Sequence, residues 1–115
     1  MNIEEYREYC LSKPGVTEGF PFGPDTLVLR VGGKIFTIAG MENFERVNLK
    51  CNPERALELR EEFSGIIPGY HMNKQHWNTV YVNGSVPQKL VRELIDHSYD
   101  LVFKSLPIAK REGLE

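Results

Sequence analysis

The sequence predicts a single α+β domain spanning residues 1–115, with helices covering one face of an antiparallel sheet. Three observations lead there. Helical periodicity occurs near both ends and in the middle of the chain, and short runs with strand-like alternation lie between. The turns joining those runs are too short for parallel crossovers. With 41% hydrophobic and 26% charged residues the chain is long enough to build its own core and too apolar to be disordered.

The elements follow in order. Asn2 with Glu5 forms a capping box, and Ile3, Tyr6, Cys10 and Leu11 recur at helical spacing up to Pro14-Gly15. Thr17–Pro24 reads as a loop because its prolines cannot join a ladder. Thr26–Val31 and Lys34–Ala39 alternate around Gly32-Gly33, a hairpin signal because primed turns need positive φ. Glu45–Cys51 is a third strand. Asn52-Pro53-Glu54 starts a helix with a side-chain cap, a proline in the first turn and a carboxylate at the positive dipole end. Ala56, Leu57 and Phe63 are its expected buried stripe. Ser64–Pro68 reads as a connector. Gly69–Asn73 and Trp77–Val82 read as a second hairpin around Lys74-Gln75-His76. Pro87 opens the longest helix, with Leu90, Val91, Leu94, Ile95, Ser98, Leu101, Val102 and Leu106 on one face, and Pro107 ends it before a polar, frayed tail. The expected order is α-β(3)-α-β(2)-α.

Alternation also orients the sheet. Val47, Leu49 and Cys51 oppose Arg46, Asn48 and Lys50, while Leu27, Leu29 and Val31 oppose Thr26, Val28 and Arg30. If the apolar sets face the helices, Arg30, Arg46 and Lys50 lie on the uncovered side. The net charge is −2, yet ten of the sixteen acids fall in the three predicted helices, and residues 63–90 hold none. Cationic side chains are therefore expected to segregate from the acids, which matters more for a polyanionic partner than the total does.

The chain carries no Gly-x-Ser-x-Gly, no dinucleotide-type glycine spacing and no phosphate-cradling loop; Gly32-Gly33-Lys34 is explained by the hairpin turn. Nothing pairs Glu18 or Asp25 with a second acid–base group. His71, His76 and His97 lack zinc-like spacing. No catalysis, cofactor or metal is expected. Two cysteines, a start without a secretory pattern and apolar runs too short to span a bilayer point to a cytoplasmic chain with free thiols, and a monomer is expected. The acid-free segment Gly69–Asn78 holds Tyr70, His71, Asn73, Lys74, His76 and Trp77, which suits phosphates and bases. Trp77 itself is expected first as a core residue capped by Tyr70, with base contact as its alternative, and Phe20 and Phe22 are expected to plug the end of the core. Two other functions suit the same residues: a protein-interaction module holding a peptide on its sheet, and a small-anion binder built on His71, Lys74 and His76.

Several blocks resemble one known family: Pro21-Phe22-Gly23, Lys34 with Phe36 after the two-glycine turn, Leu49 to Glu54, Pro68 to Lys74 with His76-Trp77-Asn78, and Ser98 to Val102. In this order, over nearly the whole chain, they look like the MmcQ/YjbR family. The resemblance implies a bacterial protein with a secretion-chaperone-like α+β domain. It also implies DNA binding, by similarity of such domains to a double-wing transcription-factor domain. On that resemblance the binding role is carried onto Lys34, Lys50, His71, Asn73, Lys74, His76 and Trp77, which join Arg30 and Arg46 from the sheet-face argument.

Overall fold

The computed structural model describes residues 1–114 and has four helices and six strands. In chain order these are α1 (Ile3–Leu11), β1 (Val16–Gly19), β2 (Thr26–Val31), β3 (Lys34–Gly40), β4 (Arg46–Lys50), α2 (Pro53–Glu62), β5 (Ile66–Pro68), β6 (Trp77–Tyr81), α3 (Gln88–Ser105) and α4 (Ile108–Leu114). The strands form one antiparallel sheet in the order β1-β2-β3-β4-β6-β5. No helix among the described residues is long and apolar enough to cross a membrane.

The α+β class and the antiparallel sheet stand as expected, and four local expectations are corrected. Val16–Gly19 is an edge strand, pairing Val16 with Val31 and Gly19 with Val28; Pro14 precedes it and Pro21 follows, so neither proline enters the ladder. Ile66–Pro68 is the first arm of the second hairpin, and Gly69–Asn73 belongs to its loop. Pro107 stops α3 and also begins α4, whose Arg111 N–H donates to the Pro107 carbonyl. In α2 the buried residues are Ala56 and Leu59, while Leu57 is exposed and Phe63 only half-buried.

All the helices contribute to one core. Tyr6 and Cys10 from α1, Ala56 and Leu59 from α2, and Val91, Leu94, Ile95, Tyr99 and Val102 from α3 meet Leu27, Leu29, Val31, Ala39, Val47, Leu49, Val80 and Ile66 of the sheet, and Leu114 of α4 packs at its margin. The paired residues Leu27, Ala39, Val47, Val80 and Ile66 run across five strands on this side. The Ser98 hydroxyl joins α3 to the sheet where the β3–β4 ladder ends: it donates to the Phe36 carbonyl at 2.5 Å and accepts from the Lys50 N–H at 2.9 Å. One side chain thereby satisfies a buried carbonyl and a part-buried N–H. The Gly32 and Gly33 turn takes φ values of +58° and +84°, as its brevity requires.

Candidate nucleic-acid interface

Alternation around the buried rows fixes what the other side of the sheet presents. Its central row is Gly19, Val28, Ile38, Asn48, Thr79 and Ile67, register partners from β1 to β5. On one flank Lys50 pairs with Trp77, on the other Arg46 pairs with Tyr81, and Arg30 stands between Thr17 and Ile35. None of these outward positions is a carboxylate. The ion pairs among the described residues are Arg7–Glu18, between α1 and β1, and Lys13–Asp96, between the turn after α1 and α3. Arg30, Arg46 and Lys50 thus share this side without an ion pair, and Glu42 and Glu45 line a cleft with Arg46 beside β4.

Arg46 is held by two tyrosines. Its guanidinium lies 5.2 Å from the Tyr70 ring centre, and its Nη1 donates to the Tyr81 hydroxyl at 3.4 Å. Tyr70 reaches this place because the 69–76 loop folds back over the open side. The Tyr70 N–H donates to Thr79 Oγ1 at 3.0 Å, and that hydroxyl donates to Asn48 Oδ1 at 2.5 Å. Tyr70 is 54% exposed and carries the His71 ring 4.0 Å away. Trp77 is half-buried, faces outward opposite Lys50 and lies outside the core cluster, so the core reading of this residue is set aside. Gly69 packs on it: a Cβ there would sit 2.8 Å from Trp77 Cβ and 2.9 Å from the Trp77 carbonyl oxygen. Phe20 and Phe22 do not plug the core either; they are exposed on the β1–β2 connection.

The loop itself is tied down. Asn73 Oδ1 accepts from the N–H groups of Gln75 and His76, the Asn73 carbonyl accepts from Trp77 N–H, and the His76 carbonyl accepts from Cys51 N–H. Lys74 Nζ donates to the Gly69 carbonyl at 3.2 Å. His71 adopts a left-handed φ of +58° and is exposed. Arg60 of α2 completes the clamp: Nε donates to Asn78 Oδ1 at 2.7 Å, and Nη2 donates to the carbonyls of Lys74 and Trp77. Sequence reasoning missed Arg60, although the signal was there: it stands four residues after Ala56, on the buried face of α2.

The structure therefore gathers Arg30, Arg46, Lys50 and Trp77 on one side, with His71 brought to it through Tyr70. Asn73, Lys74 and His76 form the adjoining loop. Lys34 is elsewhere. It pairs with Val31, which faces the helices, and its Nζ reaches Ser105 Oγ at 3.5 Å at the end of α3. The cleft that Lys74 lines is bounded by Pro53, Glu54, Leu57, Arg60 and Gln75, and takes in neither His71 nor His76.

Elsewhere the titratable groups serve the fold. Burial pushes the Cys10 thiol up to about 12 and raises Cys51, so both stay protonated at neutral pH. A hydrogen bond from Arg7 holds the Glu18 carboxyl below its ordinary value. Among the described residues no three His, Cys, Asp or Glu side chains gather as metal ligands would. His97 Nε2 accepts from the Asn52 N–H at 3.1 Å, at the positive end of α2. Burial first, then Arg55 and Lys104, depress its pKa against the pull of Asp100. The unfolded chain then takes up the proton first as pH falls. The stabilisation is complete above about pH 6.5 and is lost as pH drops toward the folded value. We expect the urea midpoint to fall between pH 7.5 and 5, and His97→Gln, which keeps an acceptor but does not titrate, to shrink that difference. An undiminished difference in the variant would remove His97 from the account.

The elements define an α+β domain with its helical core on one side of an antiparallel sheet. Residues 11–101 match the family model described as YjbR. The chain is 36% identical over 115 residues to the Escherichia coli K12 protein YjbR, covering 99% of this chain and 98% of that one. It is 38% identical over 110 residues to YbdF of Escherichia coli O157:H7, covering 95% and 88%. The crystal structure of Deinococcus radiodurans DR2400, a DUF419 domain, superposes with a TM-score of 0.91 at 38% identity, covering 98% of this chain and 87% of that one. A Pseudomonas syringae protein superposes with a TM-score of 0.77 at 30% identity, covering 89% and 99%. The chain belongs to the YjbR family.

Proposed function

We propose that this protein is a non-catalytic DNA-binding domain that engages phosphates through the open side of its sheet. The observation that carries the reading is the segregation of Arg30, Arg46 and Lys50 on a face whose outward strand positions hold no carboxylate and no ion pair, in a chain whose overall charge is −2. Arg46 and Lys50 lie on either side of Asn48 in β4, about 14 Å apart at strand rise, far enough to meet separate phosphates along a backbone. Lys74 adds only its charge from the adjoining loop, since its Nζ is bonded to the Gly69 carbonyl.

Such binding weakens as salt rises, because each neutralised phosphate releases counterions. Lys50→Ala and Arg46→Ala should each lower affinity and reduce the slope of log K against log salt by about one. Anisotropy titrations of labelled oligonucleotides between low and moderate salt measure both quantities. Salt-independent affinity, or slopes unchanged in both variants, would reject the reading. One observation favours a second reading as a protein-docking domain: Phe20 and Phe22 are 47% and 66% exposed around Pro21. Phe22→Ser separates the two, since it leaves DNA affinity intact if the sheet face is the site.

A further inference from the structure

We propose that the nucleic acid this face takes is single-stranded; the inference rests on the DNA-binding reading and adds to it the form of the ligand. Reading a duplex requires an element that projects into a groove and side chains free to meet base edges. The second hairpin is the element that suits this role in the sequence, and the Asn73 oxygen and Lys74 amine that would read a duplex are already engaged. Asn73 Oδ1 is occupied by two backbone N–H groups of its own turn, Lys74 Nζ is bonded to Gly69, and Arg60 ties the Lys74 and Trp77 carbonyls down to α2. The loop folds onto the sheet instead of standing away from it, through the Tyr70 N–H bond to Thr79.

What the open side offers instead is ring surface beside cations. Trp77 lies next to Lys50, Tyr81 next to Arg46, and Tyr70 lies over the Arg46 guanidinium with more than half its surface exposed. Between these flanks run the half-buried Ile38, Asn48 and Ile67, with Val28 and Thr79 of the same row buried. Bases of a single strand can unstack and lay their π-faces on such rings while the phosphates meet the adjacent cations; in a duplex those faces are already stacked on one another. Trp77 and Tyr81 sit four residues apart on β6, on the same side, so two bases can be held along one strand. DNA and RNA share this chemistry, and the sugar is a separate question.

The test compares fluorescein-labelled dT15, rU15 and a 15-base-pair duplex by anisotropy with the intact protein at one salt concentration. Either single strand should bind at least tenfold more tightly than the duplex, and the tighter of the two assigns the sugar. Emission of Trp77, the sole tryptophan, should be quenched on saturation. Trp77→Ala and Tyr81→Ala should each weaken the single strand about 5- to 100-fold, the loss carried by one stacked base, while changing duplex affinity little. The wild-type comparison stands even if a variant fails to fold. Duplex affinity equal to or above that of both strands overturns the inference and leaves DNA binding in place, whereas no binding of any of the three overturns both.

Discussion

Replacing Tyr6 by alanine should cost about 3–5 kcal/mol, the usual cost of truncating a fully buried aromatic ring. Against the roughly 5–15 kcal/mol that holds a typical domain together, this leaves a protein close to its unfolding threshold. The ring has no exposed surface and lies 5.2 Å from that of Phe44. Its hydroxyl meets Thr37 Oγ1 at 2.7 Å, and Thr37 spends its own proton on the Asn48 carbonyl, so tyrosine is the donor. Tyr6→Phe removes only that donation and should cost about 0.5–1.5 kcal/mol. The two variants therefore divide packing from hydrogen bonding, and urea unfolding followed by circular dichroism measures both. A loss below about 1 kcal/mol for the alanine variant would contradict the burial of this ring.

Asn48 shows how the two sides of the sheet are joined, and why only part of that was legible. Its carbonyl serves the Tyr6–Thr37 network on the helical side, while its side chain accepts from Thr79, which in turn positions Tyr70 on the open side. The alternation of Arg46, Asn48 and Lys50 in the sequence was enough to put these residues on one face, because period two in a strand with one buried side allows only one register. The Gly32-Gly33 turn and the Asn52-Pro53 helix start were legible for the same kind of reason, since each rests on local chemistry. The side on which Lys34 falls was deducible too: a two-residue turn pairs it with Val31, and Val31 is apolar. Other features depend on contacts distant in sequence. The strands Val16–Gly19 and Ile66–Pro68 have four and three residues, too few for periodicity to register, and exist because β2 and β6 offer them an edge. The buried stripe of α2 was misphased toward Leu57 because the helix is shared between a core contact at Leu59 and the polar clamp of Arg60.

That clamp gives the second large effect. Arg60→Ala should destabilise the domain by about 1.5–3 kcal/mol, since it removes charge-assisted donors from Asn78 Oδ1 and from the carbonyls of Lys74 and Trp77. Asn78 is 2% exposed, so water cannot readily replace the lost partner. Arg60→Lys should recover little: an ammonium is a point charge on a flexible stem, and cannot place donors on three oxygens in the geometry of a planar fork. The effect on binding follows from position. Arg60 touches no ligand in this scheme; it holds the loop that sets Tyr70 over Arg46 and Trp77 beside Lys50. Loss of the clamp should therefore weaken oligonucleotide affinity several-fold while leaving the salt slope unchanged, because the phosphate-facing cations remain. Hydrogen exchange at the amides of residues 69–77 should quicken in the variant before that of the central strands β2 and β3. A reduced salt slope in Arg60→Ala would instead make Arg60 a direct phosphate contact, and unchanged exchange in the loop would show that its other backbone bonds suffice to hold it.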